Sequence, residues 1–276
     1  MLREKKNRFM INIMVCIKQV PGTSDVEVDE KTGVLKRDGV DSKMNPFDLY
    51  ALETALRLRK QLGNGSVTVI TMGPPQAAAV IKEAYMMGAD EGVILSDRRF
   101  AGSDVLATSY TLSQGILKQG LPDLLICGKQ TTDGDTAQVG PEIAEFLNIP
   151  HVTDIRRIIE LTDSSITVEM DMSDTVEIAE IKFPALISVS KDIYQPRLPS
   201  FKLKLKSKDR EIKMFSLDDF EDQDELHYGL NGSPTQVKRI FPPPSNDSHE
   251  MWNGSGEETA QQMFDQLIEK KFVEFI

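Results

Sequence analysis

Residues 121–147 read LPDLLICGKQTTDGDTAQVGPEIAEFL. The run LPDLLICG (121–128) is short and apolar, suited to a strand buried on both faces. A polar, glycine-containing loop follows, and a helix is expected from about Ala137 to Leu147. This strand–loop–helix unit has counterparts upstream. INIMVCIKQV (11–20), SVTVITMG (66–73) and GVIL (92–95) are further buried strands. Helices separate them. Asn45 can cap the first, with Pro46 at its first position and Asp48 at its third, and Gly63 ends it. PPQAAAVIKEAYMMGAD (74–90) closes at Gly88, and SDVLATSYTLSQGILKQG (103–120) has Ser103 as a cap. Strands alternating with such helices imply an α/β fold, a Rossmann-like, doubly wound and mostly parallel sheet.

Outside this core the pattern changes. VEVDEKTGVLKRDGV (26–40) alternates around Lys31-Thr32-Gly33 and predicts a small hairpin. Residues 152–190 predict two or three strands around Thr162–Ser165, giving the sheet antiparallel edge strands. Beyond Lys191 periodicity weakens. The basic run 202–213 and the acidic run 217–225 read as solvated charge. FPPPSNDSHEMWNGSG (241–256) reads as extended. A last amphipathic helix starts at Ser255 with a Ser-x-x-Glu258 capping box and a stripe of Met263, Phe264, Leu267 and Ile268. It packs either on its own domain or on a partner chain. The expected organisation is a disordered extension at 1–10 (Met10 is an alternative start), an α/β domain at 11–200, and a C-terminal arm with its helix at 201–276.

The chain has 276 residues, with 32 basic and 43 acidic side chains and a net charge of -11. That balance argues against nucleic-acid binding, which needs a basic face to displace counterions. No apolar run is long enough to span a membrane, and no secretory signal is evident. Cys16 and Cys127 cannot form a disulfide framework, so a cytoplasmic location is expected. Both cysteines end apolar strands and read as inert core residues rather than nucleophiles. His151, His227 and His249 are far apart, so no metal spacing appears.

The loop 128–138 carries the chemistry. Gly128 and Gly134 permit close backbone approach to a ligand, and the amides at the helix start favour an anion such as phosphate. Thr131, Thr132, Thr136 and Gln138 add neutral hydrogen-bonding groups. Asp133 and Asp135 would repel a phosphate they faced, so they are expected to turn outward, cap the turn or bind ribose. An ordinary polar turn is the competing reading, because neither a Walker loop nor Gly-x-Gly-x-x-Gly is present. Three other junctions belong to the same sheet edge: 44–48, 71–74 and 98–110, the last offering Ser103, Asp104 and Thr108. Four converging junctions suit a crevice large enough for a dinucleotide. No catalytic triad or nucleophile elbow is found, so redox chemistry would need a bound cofactor.

The segments VCIKQVPGT (15–23), DGVDSKMNPFDLYALETALRL (38–58), VTVITMGPPQA (67–77), AYMMGADEGVIL (84–95), 124–150 and FPALISVSKDIYQPRLPS (183–200) together resemble the beta subunit of electron-transfer flavoproteins. Gly-Lys-Gln followed by Asp-Gly-Asp-Thr-Ala-Gln-Val-Gly is the most specific element. The resemblance implies that Cys16, Asn45, Met72, Gly128, Asp133, Gly134, Asp135, Thr136, Ala137, Gln138 and Val139 surround an adenine nucleotide. In ordinary members this is AMP; in electron-bifurcating members it is the ADP part of an FAD. DRRFAGSDVLATS (97–109) and Val-Pro-Gly-Thr (20–23) resemble the bifurcating branch. That branch exchanges a hydride with NAD(H) and divides electrons between ferredoxin and an FAD-dependent dehydrogenase. It works with an alpha subunit that the C-terminal arm wraps. KDIYQPRLPSF (191–201) matches the partner-recognition loop, with Ile193, Tyr194 and Arg197 as its contact residues. Together with 228–244 it resembles the form serving a lactate dehydrogenase; an acyl-CoA dehydrogenase is the alternative. A non-redox adenine-nucleotide module is a further reading of the same fold.

Overall fold

In the computed structural model, residues 10–22, 42–191, 193–238 and 250–273 are described. They fall into two units, 1–238 and 239–276. The expected hairpin at 26–40 lies outside the described residues, as does most of 241–256.

The elements of the first unit run β1 (Ile11–Cys16), β2 (Gln19–Pro21), β3 (Ser42–Met44), α1 (Pro46–Leu62), β4 (Gly65–Met72), α2 (Ala78–Met87), β5 (Glu91–Leu95), α3 (Val105–Gln119), β6 (Leu124–Gly128), α4 (Val139–Leu147), β7 (His151–Leu161), β8 (Ser165–Asp171), β9 (Val176–Lys182), β10 (Ala185–Val189), α5 (Phe201–Lys206) and β11 (Lys213–Phe215). Nine strands form one sheet in the order β11-β5-β4-β1-β6-β10-β7-β8-β9. It is parallel from β11 to β7, and β8 and β9 extend it antiparallel at one edge. This is the expected Rossmann-like architecture. The apolar runs explain it: Ile13, Val15, Val69, Leu124, Ile126, Leu186 and Ile187 are fully buried, as central parallel strands covered on both faces must be. α1 and α2 cover one face with Leu52, Leu56, Ile81 and Tyr85. α3 and α4 cover the other with Leu112, Ile116 and Ile143.

Several boundaries move for local reasons. The strand expected over 11–20 breaks at Ile17-Lys18, where the Lys18 amide turns to Asp48 Oδ2 at 2.7 Å and the remainder pairs with β3. The helix expected from 74 begins at Ala78, after a 3₁₀ turn at Pro75–Ala77. Asp104, not Ser103, caps α3: its carboxylate accepts the Ala107 amide at 3.1 Å, while Ser103 Oγ donates to the Phe100 carbonyl. α4 starts at Val139 because Ala137 takes a left-handed conformation, φ 57°. Residues 151–189 form four strands rather than two or three, and β10 returns to the centre of the sheet beside β6.

The two charge runs carry elements of the fold, although the side chains of the basic run stay largely exposed as expected. The basic run supplies α5 and β11, which pairs with β5. The acidic run buries Leu217 and Phe220, and Phe220 stacks on Phe100 at 5.7 Å and on Tyr228 at 6.0 Å. Tyr110 and His227 both bond to Asp222 Oδ2, at 2.6 and 2.5 Å. Residues 201–238 therefore share the sheet's unit, although the expected arm begins at 201.

The second unit contains α6 (Gly256–Glu269), with the expected capping box: Ser255 N donates to Glu258 Oε2 at 2.8 Å and Glu258 N to Ser255 Oγ at 3.3 Å. Trp252, Met263, Leu267 and Phe272 line a shallow concavity within it. Among the described residues no helix is long and apolar enough to cross a membrane, and none form a metal-ligating cluster.

Truncating Phe220 to Ala removes the ring that stacks on Phe100 and Tyr228 and ties the acidic run to the turn before α3. A loss of about 3 kcal/mol is expected from such a core truncation. Urea denaturation of F220A checks it, with proteolysis beginning within 213–238.

Candidate functional site

The chain leaves β1 toward β4 and β5 on one side, then crosses to β6 and β10 on the other. The strand order therefore reverses between β1 and β6, and in open parallel sheets ligands bind at such a switch point, beyond the carboxyl ends of the strands. Cys16 ends β1 and Cys127 nearly ends β6, on adjacent paired strands. The Cys127 thiol is pushed well up by its hydrogen bond with Cys16 and by burial, so it stays a neutral thiol. Met72 ends β4 and is half-buried.

Asn45 connects this edge to the loop. It occupies the N-cap position of α1 but makes no capping bond. Its Nδ2 donates instead to Asp48 Oδ1 and to the Gln130 carbonyl, both at 2.9 Å, and its Oδ1 accepts the Thr132 amide at 3.2 Å. Asn45 is 0% exposed with its amide group engaged on every side, so it holds the loop from beneath. Lys18 works beside it: its amide meets Asp48 and its Nζ lies 2.7 Å from Asp133. Gly128 is required by this packing. A Cβ there would lie 2.6 Å from Asp48 Oδ1 and 2.7 Å from the Phe47 carbonyl carbon.

The loop above this support is open. Residues 132–138 are exposed without interruption. Asp135 and Ala137 both have φ 57°, a strained conformation for residues other than glycine. The Asp135 amide closes a turn onto the Thr131 carbonyl at 2.9 Å. Among the described residues, the amides of Thr136, Ala137 and Gln138 donate to no protein acceptor, and they lie directly before the N-terminus of α4. Exposed amides next to a helix start suit an anionic group. The two carboxylates of the loop itself are tied elsewhere, Asp133 to Lys18 and Asp135 to the Gln130 side-chain amide, whereas Glu142 in the first turn of α4 keeps a buried Oε2 without a hydrogen-bond partner among the described residues. Val139 begins α4 half-buried.

The start of α3 is differently built. Besides capping the helix, Asp104 Oδ2 accepts from the Thr235 amide at 3.0 Å and its hydroxyl at 2.7 Å, and Ser233 Oγ lies 2.8 Å from the Asp104 amide. Sequence reasoning gave this capping role to Ser103, and the bond of Asp104 to Thr235, 131 positions away, has no local signal either. Thr108 sits one turn on, half-buried. Flanking the loop, Lys129, Arg156, Lys191, Gln130 and Asp171 line a second, shallow concavity, where Lys129 pairs with Asp154 at 2.6 Å.

In the segment 193–201, Ile193 is buried and the partly exposed Arg197 bonds Glu53 Oε2 at 2.7 Å. The outward apolar side chains are Leu198, 87% exposed, and Phe201, 72% exposed. Sequence reasoning passed over both: Leu198 lies in a proline-flanked loop with no periodicity to assign it a face, and Phe201 opens the short helix α5 that the basic run masks.

A family model for the electron transfer flavoprotein domain matches residues 32–220. The chain is 45% identical over 259 residues, 93% of its length and 98% of the relative's, to an electron transfer flavoprotein subunit beta of Thermoanaerobacterium thermosaccharolyticum. The chain belongs to the electron transfer flavoprotein beta-subunit family. Other members include a caffeyl-CoA reductase-Etf complex subunit CarD of Acetobacterium woodii, 41% identical over 264 residues with 95% of this chain and 100% of that protein covered. A protein FixA of Azorhizobium caulinodans is 43% identical over 239 residues, with 84% and 85% covered. In this beta-subunit chain the match takes in the loop together with Asn45 and Asp48 beneath it, and leaves out Lys18.

Asp48 also sets a pH dependence. It is 5% exposed, and burial raises its pKa to about 7 against the hydrogen bonds from Asn45 and the Lys18 amide and the charge of Lys18. A folded-state value above the unfolded one means that the fold favours the protonated form. This group's contribution is fully present below pH ~4 and is lost as pH rises through about 7. Asp48→Asn should flatten the stability profile between pH ~4 and ~7, on the order of 4 kcal/mol across the window. Thermal unfolding of D48N and wild type across that range checks the sign. At Gly134 a Cβ would touch only Thr131 Oγ1, at 3.3 Å. Gly134→Val should therefore fold and yet lose adenine-nucleotide affinity by about tenfold or more if a ligand approaches that backbone. Calorimetric titration of the variant tests the loop.

Proposed function

We propose that this chain is the beta subunit of a bifurcating or confurcating electron-transfer flavoprotein. In this reading it pairs with an alpha subunit, which the chain beyond residue 238 wraps, and the switch-point crevice holds the ADP part of an FAD. The observation that carries the proposal is the loop at 132–138: among the described residues the amides of Thr136, Ala137 and Gln138 donate to no protein acceptor, while Asp133 and Asp135 are tied to Lys18 and Gln130. Its residues Gly134, Thr136, Ala137, Gln138 and Val139 would receive the pyrophosphate. Cys16 and Met72 would line the crevice floor, with Ser103 and Thr108 at its far side. Asn45, Asp48, Asp133 and Asp104 support this geometry from behind. Bound FAD supplies hydride exchange with NAD(H) and one-electron transfer, chemistry that no side chain of this site provides. The protein's part is to orient the nucleotide and to keep carboxylates off the phosphates.

The complex then divides electrons between ferredoxin and an FAD-dependent dehydrogenase, or merges them. Resemblance at 191–201 and 228–244 favours a lactate dehydrogenase. A second reading is supported by the relative named as a subunit of a caffeyl-CoA reductase-Etf complex: there the partner acts on a CoA ester, which favours an acyl-CoA dehydrogenase. If the subunit is of the ordinary type, AMP fills the same crevice in a structural role.

Co-purification with the alpha subunit and quantification of flavin and AMP separates these readings. Two FAD per heterodimer and reduction by NADH are expected. One FAD with one AMP overturns bifurcation. Coupling NAD⁺-dependent lactate oxidation to reduced ferredoxin, against the same assay with an acyl-CoA dehydrogenase, then identifies the partner.

A further inference from the structure

Glu53 is a carboxylate that the nucleotide site does not use. It lies on α1, eight positions after Asn45, and is 3% exposed. Two arginines converge on it. Arg57, one turn on, donates from Nε to Oε1 at 2.7 Å. Arg197 donates from its backbone amide and its Nε to Oε2, at 3.2 and 2.7 Å, and from a terminal nitrogen to Oε1 at 3.2 Å. The Arg57 guanidinium also lies 4.5 Å from the centroid of the Tyr194 ring. Burial alone would push the Glu53 carboxyl up; the hydrogen bonds from both arginines hold it below the usual range instead, so it stays a charged acceptor.

These contacts fix the segment 193–200 at several points. Ile193 is buried at its start, Tyr194 lies under Arg57, Arg197 is forked onto Glu53, and the Ser200 amide donates to the Met86 carbonyl at 2.8 Å. Leu198 projects between the last two anchors. A loop that exposes a large apolar side chain from a fixed backbone has already met the ordering cost that binding otherwise imposes.

We propose that Glu53 is a positioning residue for docking: it holds the backbone of 193–200 through Arg197 and Arg57, so that the partner dehydrogenase meets a preformed loop whose Arg197, although 40% exposed, has its guanidinium engaged by Glu53. This rests on the reading of the chain as an electron-transfer subunit that docks a dehydrogenase. It also reassigns Arg197 from contacting the partner to setting the shape that the partner contacts.

The test uses the heterodimer with its alpha subunit and the variants Glu53→Gln, Arg197→Lys and the double variant. The substrate protein is whichever dehydrogenase, lactate- or acyl-CoA-oxidising, the wild-type heterodimer couples to. Each single variant should raise the KM for that dehydrogenase about tenfold with kcat retained, and the double variant should be no worse than either single one. If Arg197 touched the partner directly, R197K would cost as much in the E53Q background as in wild type, and that additivity overturns the proposal. Amide hydrogen exchange of the heterodimer without a dehydrogenase gives an independent reading. In E53Q the amides of 194–200, that of Arg197 foremost, should exchange faster while α1 stays protected. Unchanged exchange there overturns the clamp. Failure of the wild-type heterodimer to couple to either dehydrogenase overturns the docking reading itself, before any variant is compared.

Discussion

The close approach of α1 to the end of β6 is the constraint on which the site depends. Gly128 lets the first turn of the helix meet the strand within a distance that any Cβ would forbid. That proximity puts Asn45 beneath the loop, where its amide group reaches Gln130 and Thr132, and puts Asp48 within reach of the Lys18 amide and Asn45. A helix-capping residue has been diverted to loop support. The cost is a buried carboxyl; its return is a loop whose outer amides stay open while its inner groups are paired.

Carboxylates are handled in the same way throughout. The net charge of -11 would make an anion-binding crevice unfavourable if its acidic groups were free. Asp133 meets Lys18, Asp135 meets Gln130, and Asp104 is consumed by the α3 cap and by Thr235. Glu53 is enclosed by two arginines. Negative charge on the loop itself is thus engaged in internal bonds, while Glu142 in the first turn of α4 keeps a buried oxygen without one among the described residues.

Most of the central sheet was legible because its signals are local. Buried strands such as β6 are apolar runs, and α1 and α6 carry their start signals within a few residues of their ends. The loop 128–138 was legible for the same reason. What escaped depends on contacts over long sequence separations. β11 has only three residues and a charged beginning, so nothing in Lys213–Phe215 announces a strand until β5 is beside it. The acidic run reads as solvated unless Phe100 and Tyr110 are known to face it. Arg197 has the character of an interface anchor in isolation, but its carboxylate partner stands 144 positions earlier in the chain. Ser103 and Asp104 are adjacent polar residues with similar capping preference, and only the backbone geometry separates them.

The attachment of residues 193–200 to α1 has a consequence for exchanging parts between members of the family. The segment's form is encoded in two separated places, its own sequence and the pair Glu53 and Arg57 on a helix whose other end supports the nucleotide loop. Transplanting the segment alone into a relative would carry the exposed Leu198 without the scaffold that aims it. A chimaera would have to take the matching face of α1 as well, and that face lies only two turns from Asn45. On the proposed reading, partner docking and nucleotide retention are inherited on one helix, and a lineage that revises either of them edits a strut that serves both.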